Sequence, residues 1–222
     1  MSLAAAIFDF DGVILDTEGT AFESWSAVYR EHGVVLTWED YAISVGTAHA
    51  WDAVANLERL AGRRLDRDLV KARHREIYRP LAAALKLMPG VAERLDEADR
   101  LGIRLALASS STFDWVVEHL KGYGIMDRFS AILVRDDRLR AKPHPDLYLA
   151  SLRALGVPAD EAVAFEDSMN GVTAAKAAGL FCVAVPNSMT ARMDLSRADL
   201  MAKSLMDVSF ASLTTAVART GV

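Results

Sequence analysis

The sequence predicts an α/β fold in which helices cover a parallel β-sheet and a helical segment is inserted near the amino terminus. From residue 88 onward, short apolar runs that suit buried strands alternate with helical patterns, as is typical of βαβ units. One further apolar run, residues 3–8, lies before residue 17, whereas residues 17–86 contain no convincing strand pattern. Together these observations predict a Rossmann-like core that is interrupted once by an α-helical cap domain.

Residues 17–87 are expected to form the cap domain. Asp16 or Thr17 is placed to cap its first helix, which should continue to Gly33. Further helices are predicted at residues 38–43, 50–60 and 67–85. Pro80 is expected to kink or interrupt the last of these helices, whose inward-facing side chains should be Leu69, Ala72, Ile77 and Leu81.

The remaining residues, 1–16 and 88–222, are expected to form one discontinuous α/β core. Its strands are predicted at residues 3–8, 103–108, 131–134, 162–165, 180–185 and, as a last short one, near 198–202. Helices are predicted at residues 91–101, 145–155 and 169–178. Another helix should follow residues 109–112 and continue to about residue 120. Right-handed crossovers should join the strands into a parallel sheet.

Composition narrows the class of protein. The chain is 52% hydrophobic and 25% charged, as is typical of a soluble globular protein. A net charge of -5 gives no reason to expect nucleic acid or an acidic membrane as a partner. The single cysteine, Cys182, lies in an apolar run, is expected in the core and excludes an intramolecular disulfide framework. No signal-peptide pattern or run of membrane-spanning length is present, so a cytoplasmic location is the default expectation.

Two acids follow the first predicted strand. Asp9 and Asp11 are two residues apart, so their side chains should point the same way, and Gly12 then lets the backbone turn. Two acids at the end of a buried strand are costly unless something compensates their charge. A divalent cation is the simplest compensation, and a carboxylate so placed could also attack an electrophile.

Other polar residues follow other predicted strands. Ser109 ends one strand, Glu166 and Asp167 directly follow another, and Lys142 lies in the loop of residues 141–146. Each has an ordinary structural explanation when taken alone, as a helix cap, a turn residue or a solvated charge. Because the carboxyl ends of parallel strands face one crevice, we expect these side chains to converge with the two acids.

Such a set of residues suits Mg²⁺ and a phosphoryl group. Asp9, with an ordinary aspartate pKa of about 3.9, would be ionised and could attack phosphorus to form an aspartyl phosphate. Asp11 could donate a proton to the leaving oxygen and then help to activate water. Lys142 and Ser109, with nearby backbone N–H groups at a helix N-terminus, could bind the phosphoryl oxygens.

Four motifs in order carry a resemblance to a known family. They are Asp-Phe-Asp-Gly-Val at residues 9–13, Leu-Ala-Ser-Ser-Ser at 107–111, Lys-Pro-His-Pro-Asp at 142–146, and Phe-Glu-Asp-Ser at 165–168 with Gly171. The chain resembles the haloacid dehalogenase superfamily, in its phosphatase and β-phosphoglucomutase-like branch with a helical cap. The resemblance covers nearly the whole chain.

This resemblance implies a role for each motif residue. Asp9 would be the nucleophile and Asp11 the acid/base. The phosphate-binding residues would be Gly12, Ser109, Ser110 and Lys142. Mg²⁺ would be held by the Asp9 carboxylate, the Asp11 backbone carbonyl, Asp167 and, directly or through water, Glu166.

The resemblance favours a Mg²⁺-dependent phosphatase that hydrolyses a small phosphate monoester, such as a sugar phosphate. Asp11 argues against a dehalogenase, and the cap lysines Lys71 and Lys86 are more simply solvated than Schiff-base formers. A β-phosphoglucomutase-like mutase is the alternative. Mutases carry a histidine where this chain has Ala21, and in the loop of residues 44–49 only His49 could hold a second phosphate.

Several interpretations stay open at this point. His49 is a candidate specificity residue and equally a surface histidine. Trp25 and Trp51 more simply build the core of the cap than line a pocket, and one of Arg73, Arg75 and Arg79 could reach the substrate. Two other classes of protein also remain, a phospho-acceptor signalling domain and a catalytically silent scaffold on the same fold.

Overall fold

A computed structural model describes residues 3–43, 45 and 51–220 of the chain. Within these residues six parallel strands form one sheet in the order β3-β2-β1-β4-β5-β6. The strands are β1 (Ala5–Phe8), β2 (Arg104–Ser109), β3 (Ala131–Val134), β4 (Ala162–Glu166), β5 (Phe181–Ala184) and β6 (Leu200–Met201). The α/β class and the parallel sheet predicted from the sequence are confirmed.

Helices account for most of the connections. In the described part of the chain they are α1 (Thr17–Glu31), α2 (Trp38–Ala42), α3 (Ala53–Ala61), α4 (Arg67–Ala83), α5 (Val91–Leu101), α6 (Phe113–Gly122), α7 (Asp146–Leu155), α8 (Met169–Ala177) and α9 (Phe210–Thr220). The prediction omitted α9. Pro80 does not interrupt α4, which continues to Ala83 because a proline near a helix end removes only one hydrogen bond. None of these helices is long and apolar enough to cross a membrane.

The strand order reverses beside β1. The chain leaves β1, passes through α1 to α5, adds β2 and β3 on one side, and then returns to add β4 and β5 on the other. In register, Phe8 of β1 pairs with both Leu107 of β2 and Phe165 of β4. The carboxyl ends of three strands are therefore level, at the switch point where open α/β sheets bind ligands.

Both faces of the sheet are buried, as the continuous apolar runs predict. Along β1, Ala5 and Ile7 belong to one hydrophobic cluster while Ala6 and Phe8 belong to another on the opposite face. All four are fully buried, and the Phe8 ring stacks on Phe165 with centroids 4.7 Å apart. The buried first strand therefore holds the residues that follow it in a fixed position.

Helices α1 to α4 contribute a third hydrophobic cluster, which includes Val28, Leu57 and Val70. Trp25 and Trp51 pack against this cluster, as predicted. The prediction that Leu69 faces inward is wrong, since its side chain is 68% exposed while Val70 is buried. The reason is helical phase: residues 70, 77 and 81 lie on one stripe at spacings of seven and four, and residue 69 does not.

Candidate active site

Three buried carboxylates meet at the ends of β1 and β4. Asp9 follows β1, Glu166 ends β4 and Asp167 comes next, and each offers an oxygen within 4.8 Å of the others. The ammonium of Lys142 lies between two of them, 2.6 Å from Asp9 Oδ1 and 2.6 Å from Glu166 Oε1. The structure thus brings together four of the side chains that the sequence predicts at this edge.

Lys142 reaches the cluster from the loop before α7. Its side chain is buried, and its backbone N–H donates to Ser110 Oγ at 3.2 Å. The ends of the loop are joined by Arg140, whose guanidinium contacts the Asp146 carboxylate at 2.8 and 2.9 Å. The loop therefore presents Lys142 in a defined position.

Glu166 is completely buried and accepts hydrogen bonds on both oxygens. Tyr148 donates its hydroxyl to Oε1, the oxygen that Lys142 also contacts, while the Asp167 N–H donates to Oε2 at 3.3 Å. Gly171 gives the carboxylate its room, since a Cβ there would lie 1.8 Å from Oε2. Glu166 and Lys142 are consequently fixed together.

Asp167 is held by a residue that the sequence analysis missed. Asn187 Nδ2 donates to Asp167 Oδ2 at 2.8 Å, and Asn187 Oδ1 accepts the backbone N–H groups of Met189 and Thr190. Gly12 has φ +92°, and a Cβ there would lie 2.0 Å from Asp167 Oδ2. The Gly12 N–H is donated to Leu15 O at 2.7 Å, so in this structure the glycine serves the turn and the approach of Asp167.

The three buried carboxylates of the cluster are neutralised only in part by the one ammonium of Lys142. Burial raises the pKa of Asp9 to about 8, against the opposing charge of Lys142 and with the support of Glu166 and Asp11. Burial, followed by Asp9 and Glu166, also raises the pKa of Asp167 well above its usual value. The expected ordinary pKa for Asp9 is therefore wrong for the protein alone. Three carboxylates facing one ammonium form an oxygen donor set that fits a divalent cation.

Asp11 lies beside this cluster and accepts four hydrogen bonds. Thr17 Oγ1 and Trp115 Nε1 donate to Oδ1 at 2.8 and 3.3 Å. Ser111 Oγ and Ser109 Oγ donate to Oδ2 at 2.6 and 3.3 Å. The Asp11 carboxylate is thus oriented from both sides.

A cavity of about 410 Å³ opens over these residues. Its walls combine the reactive groups with residues of α1, α4 and α6, and comprise Asp9, Asp11, Thr17, Glu18, Ala21, Tyr78, Ser110, Ser111, Thr112, Trp115, Arg135 and Lys142. Its volume suits a small organic ligand.

The predicted site residues differ in their relation to this cavity. Ser110 lines it, whereas Ser109 is fully buried behind it, with its hydroxyl on Asp11. His49 lies outside the described residues. The residues at the site that were not predicted from the sequence are Ser111, Trp115, Tyr78, Tyr148 and Asn187. Of these only Ser111, which lies within a predicted motif, carried a signal.

Family comparison agrees with the geometry. Residues 6–185 match the model of the family described as haloacid dehalogenase-like hydrolase. The chain belongs to this family. It is accordingly a phosphoric monoester hydrolase of the phosphatase branch, which acts on phosphorylated substrates.

Two relatives of this hydrolase are named as phosphatases. "Putative phosphatase YhcW" of Bacillus subtilis is 39% identical over 211 residues, which are 95% of this chain and 96% of that protein. "Phosphorylated carbohydrates phosphatase" of Thermotoga maritima is 33% identical over 80% of this chain and 82% of that protein. A crystal structure of a CbbY variant from Rhodobacter sphaeroides, in complex with xylulose-(1,5)bisphosphate, superposes with a TM-score of 0.72 at 30% identity and covers 91% of this chain and 95% of that one.

Proposed function

We propose that this hydrolase is a Mg²⁺-dependent phosphatase that hydrolyses a small phosphate monoester, such as a sugar phosphate, through an aspartyl phosphate on Asp9. The observation that carries the proposal is the position of Asp9. Its carboxylate lines the cavity, lies 2.6 Å from the Lys142 ammonium and adjoins two further acids. A carboxylate so placed can meet a phosphoryl group whose charge the lysine shares.

The reaction divides into two displacements. In the first, an Asp9 oxygen bonds to phosphorus while the ester oxygen leaves and takes a proton from Asp11. In the second, Asp11 accepts a proton from water as the water attacks phosphorus, which releases inorganic phosphate and frees Asp9. Lys142, with the hydroxyls of Ser110 and Ser111 at the cavity wall, would bind the phosphoryl oxygens in both steps.

Mg²⁺ would be held by the carboxylates of Asp9, Asp167 and Glu166 and by the backbone carbonyl of Asp11. When bound, it supplies positive charge that keeps Asp9 ionised and offsets the charge of the phosphoryl group. Asn187 and Gly12 would serve the metal indirectly, because both determine where the Asp167 carboxylate lies.

Residues 17–87 would act as a cap domain over the discontinuous core of residues 1–16 and 88–222. Glu18, Ala21 and Tyr78 of this segment line the same cavity as the proposed phosphoryl-binding residues. They would therefore face the leaving group and determine which ester is accepted. A carboxylate and a phenol hydroxyl among these residues suit a hydroxylated leaving group, as in the carbohydrate phosphates named for the Thermotoga relative.

The experiment is a phosphate-release assay on a panel of small phosphate esters that includes β-glucose 1-phosphate, with Mg²⁺, with EDTA and with Asp9→Asn. Metal-dependent release that the variant loses supports the proposal, and the panel then names the substrate class. Glucose 6-phosphate formed from β-glucose 1-phosphate without phosphate release would instead show a mutase. Ala21 lies at the cavity wall and disfavours a mutase, because its small apolar side chain cannot bind a second phosphate group.

A further inference from the structure

Trp115 of α6 contacts the proposed acid/base directly. Its indole N–H donates to Asp11 Oδ1 at 3.3 Å, and its ring lines the cavity. The ring is held on two sides, by Tyr78 of α4 with centroids 5.8 Å apart and by His119 with centroids 4.0 Å apart. A side chain held in this way keeps its N–H in one direction.

The donors around Asp11 differ in what they can do. An indole N–H only donates, so Trp115 holds Oδ1 as an acceptor. The hydroxyls of Thr17 on Oδ1 and of Ser109 and Ser111 on Oδ2 can rotate and can accept as well as donate, so only the indole N–H restricts its oxygen to accepting. Oδ2 is therefore the oxygen of Asp11 through which a proton can be exchanged while the carboxyl group stays in place.

Tyr78 connects this arrangement to the inserted helices. Burial, with the nearby charges of Asp11 and Glu18, raises the pKa of its phenol, and all three residues line the cavity. The Tyr78 ring contacts the Trp115 ring. It also stacks on His74, with centroids 5.5 Å apart. The indole is thus placed jointly by α4 and α6.

We propose that Trp115 is a positioning residue for the proton transfer by Asp11 to the leaving group. The proposal rests on the proposed function, since it takes Asp11 as the acid. It implies a specific dependence on the leaving group. An alkoxide must be protonated as it departs, whereas p-nitrophenolate departs with little help from an acid.

The test compares Trp115→Phe with wild type on glycerol 2-phosphate and on p-nitrophenyl phosphate. Loss of the N–H should lower kcat/KM about tenfold or more for the alkyl ester, because a misplaced acid transfers its proton poorly. For p-nitrophenyl phosphate kcat/KM should stay within about twofold, because kcat/KM reports only the steps up to departure of the leaving group, before Asp11 acts on water. Tyr78→Leu, which keeps the N–H but loosens the ring, should give a smaller loss of the same selectivity.

Trp51→Phe is the matched control, because the Trp51 indole N–H has no partner among the described residues and the ring lies outside the cavity lining. It should leave the ratio of the two kcat/KM values unchanged. Equal losses on both esters in Trp115→Phe and Tyr78→Leu, or no loss in either variant, would overturn the positioning role. Activity retained in Asp9→Asn would instead defeat the proposed function, so the two failures are distinguishable.

Discussion

The Lys142 ammonium lies 2.6 Å from the Asp9 carboxylate, although the two residues come from different βα units of the sheet. Both side chains are buried, and Glu166 Oε1 also lies 2.6 Å from the same ammonium. One buried cation therefore serves two acids. The position of Lys142 therefore depends on the loop before α7, as the position of Asp9, the proposed nucleophile, depends on β1.

Replacing Lys142 with methionine should abolish most activity. The change leaves Asp9 and Glu166 without their counter-charge and removes a group that binds the phosphoryl oxygens, so kcat should fall by about 100-fold or more. Lys176→Met is the matched control, because Lys176 also contacts an aspartate, Asp199, at 2.6 Å but outside the cavity lining. Comparable kcat values for the two variants would contradict the role of Lys142.

Gly12→Ala should inactivate the enzyme for steric reasons. The added Cβ would lie 2.0 Å from Asp167 Oδ2, at a backbone φ of +92° that alanine adopts poorly. Gly33→Ala shares the strained φ, +75°, but meets nothing within 4 Å. We expect Gly33→Ala to lose about 1 kcal/mol of unfolding free energy and keep its activity, while Gly12→Ala loses activity as well. Equal activities in the two alanine variants would show that the contact with Asp167 is unimportant.

Much of this site could be predicted from the sequence because strand ends determine it. Asp9, Glu166 and Asp167 follow continuous apolar runs, and parallel pairing brings such ends together whatever the details of packing. Trp115, Tyr148 and Asn187 could not be predicted. Their partners Asp11, Glu166 and Asp167 are 104, 18 and 20 residues away in the chain, so only the packing of helices and loops on the sheet creates the contacts.

The fold was likewise predictable where local properties of the sequence determine it, and less so where packing does. The alternation of strands and helices predicted the sheet, since period and length are local properties of the sequence. The inward face of α4 was less predictable, because Leu69 and Val70 are both apolar and only the contacts with the other inserted helices decide that Val70 is buried. Tertiary packing, rather than local propensity, selects between such neighbours.

Asn187→Ala should weaken the binding of Mg²⁺ more than it lowers kcat at saturating Mg²⁺. Without the amide, the Asp167 carboxylate loses the hydrogen bond that orients it. We expect the Mg²⁺ concentration for half-maximal activity to rise about 10- to 100-fold, with kcat at saturating Mg²⁺ recovering most of its value. Asn56→Ala, which removes an acceptor of the Tyr29 hydroxyl far from the acids in sequence, is the control. An unchanged Mg²⁺ titration in Asn187→Ala would argue against Asp167 as a ligand.

Titration of His74 should lower the free energy of unfolding in mild acid. Burial, together with the charge of Arg75, lowers the pKa of His74 to about 4. Below about pH 6.5 the unfolded chain takes up a proton that folded His74 does not, so stability should fall as the pH drops from about 6.5 to about 4. Allowing for partial exposure, the loss should be on the order of 2 kcal/mol across that window.

Urea unfolding at several pH values measures this effect. His74→Gln should flatten the decline in unfolding free energy between those two pH values. A decline in His74→Gln as steep as in wild type would assign the acid sensitivity to other groups.

Acid-quenched turnover followed by peptide mass spectrometry would detect a phosphoryl group that Asp9 carries. We expect one phosphoryl group on the peptide that contains Asp9 during turnover of an accepted ester with Mg²⁺. The label should decay when substrate is exhausted and be absent from Asp9→Asn. A phosphoryl group on a different residue, or full turnover by Asp9→Asn, would show that Asp9 is not the nucleophile.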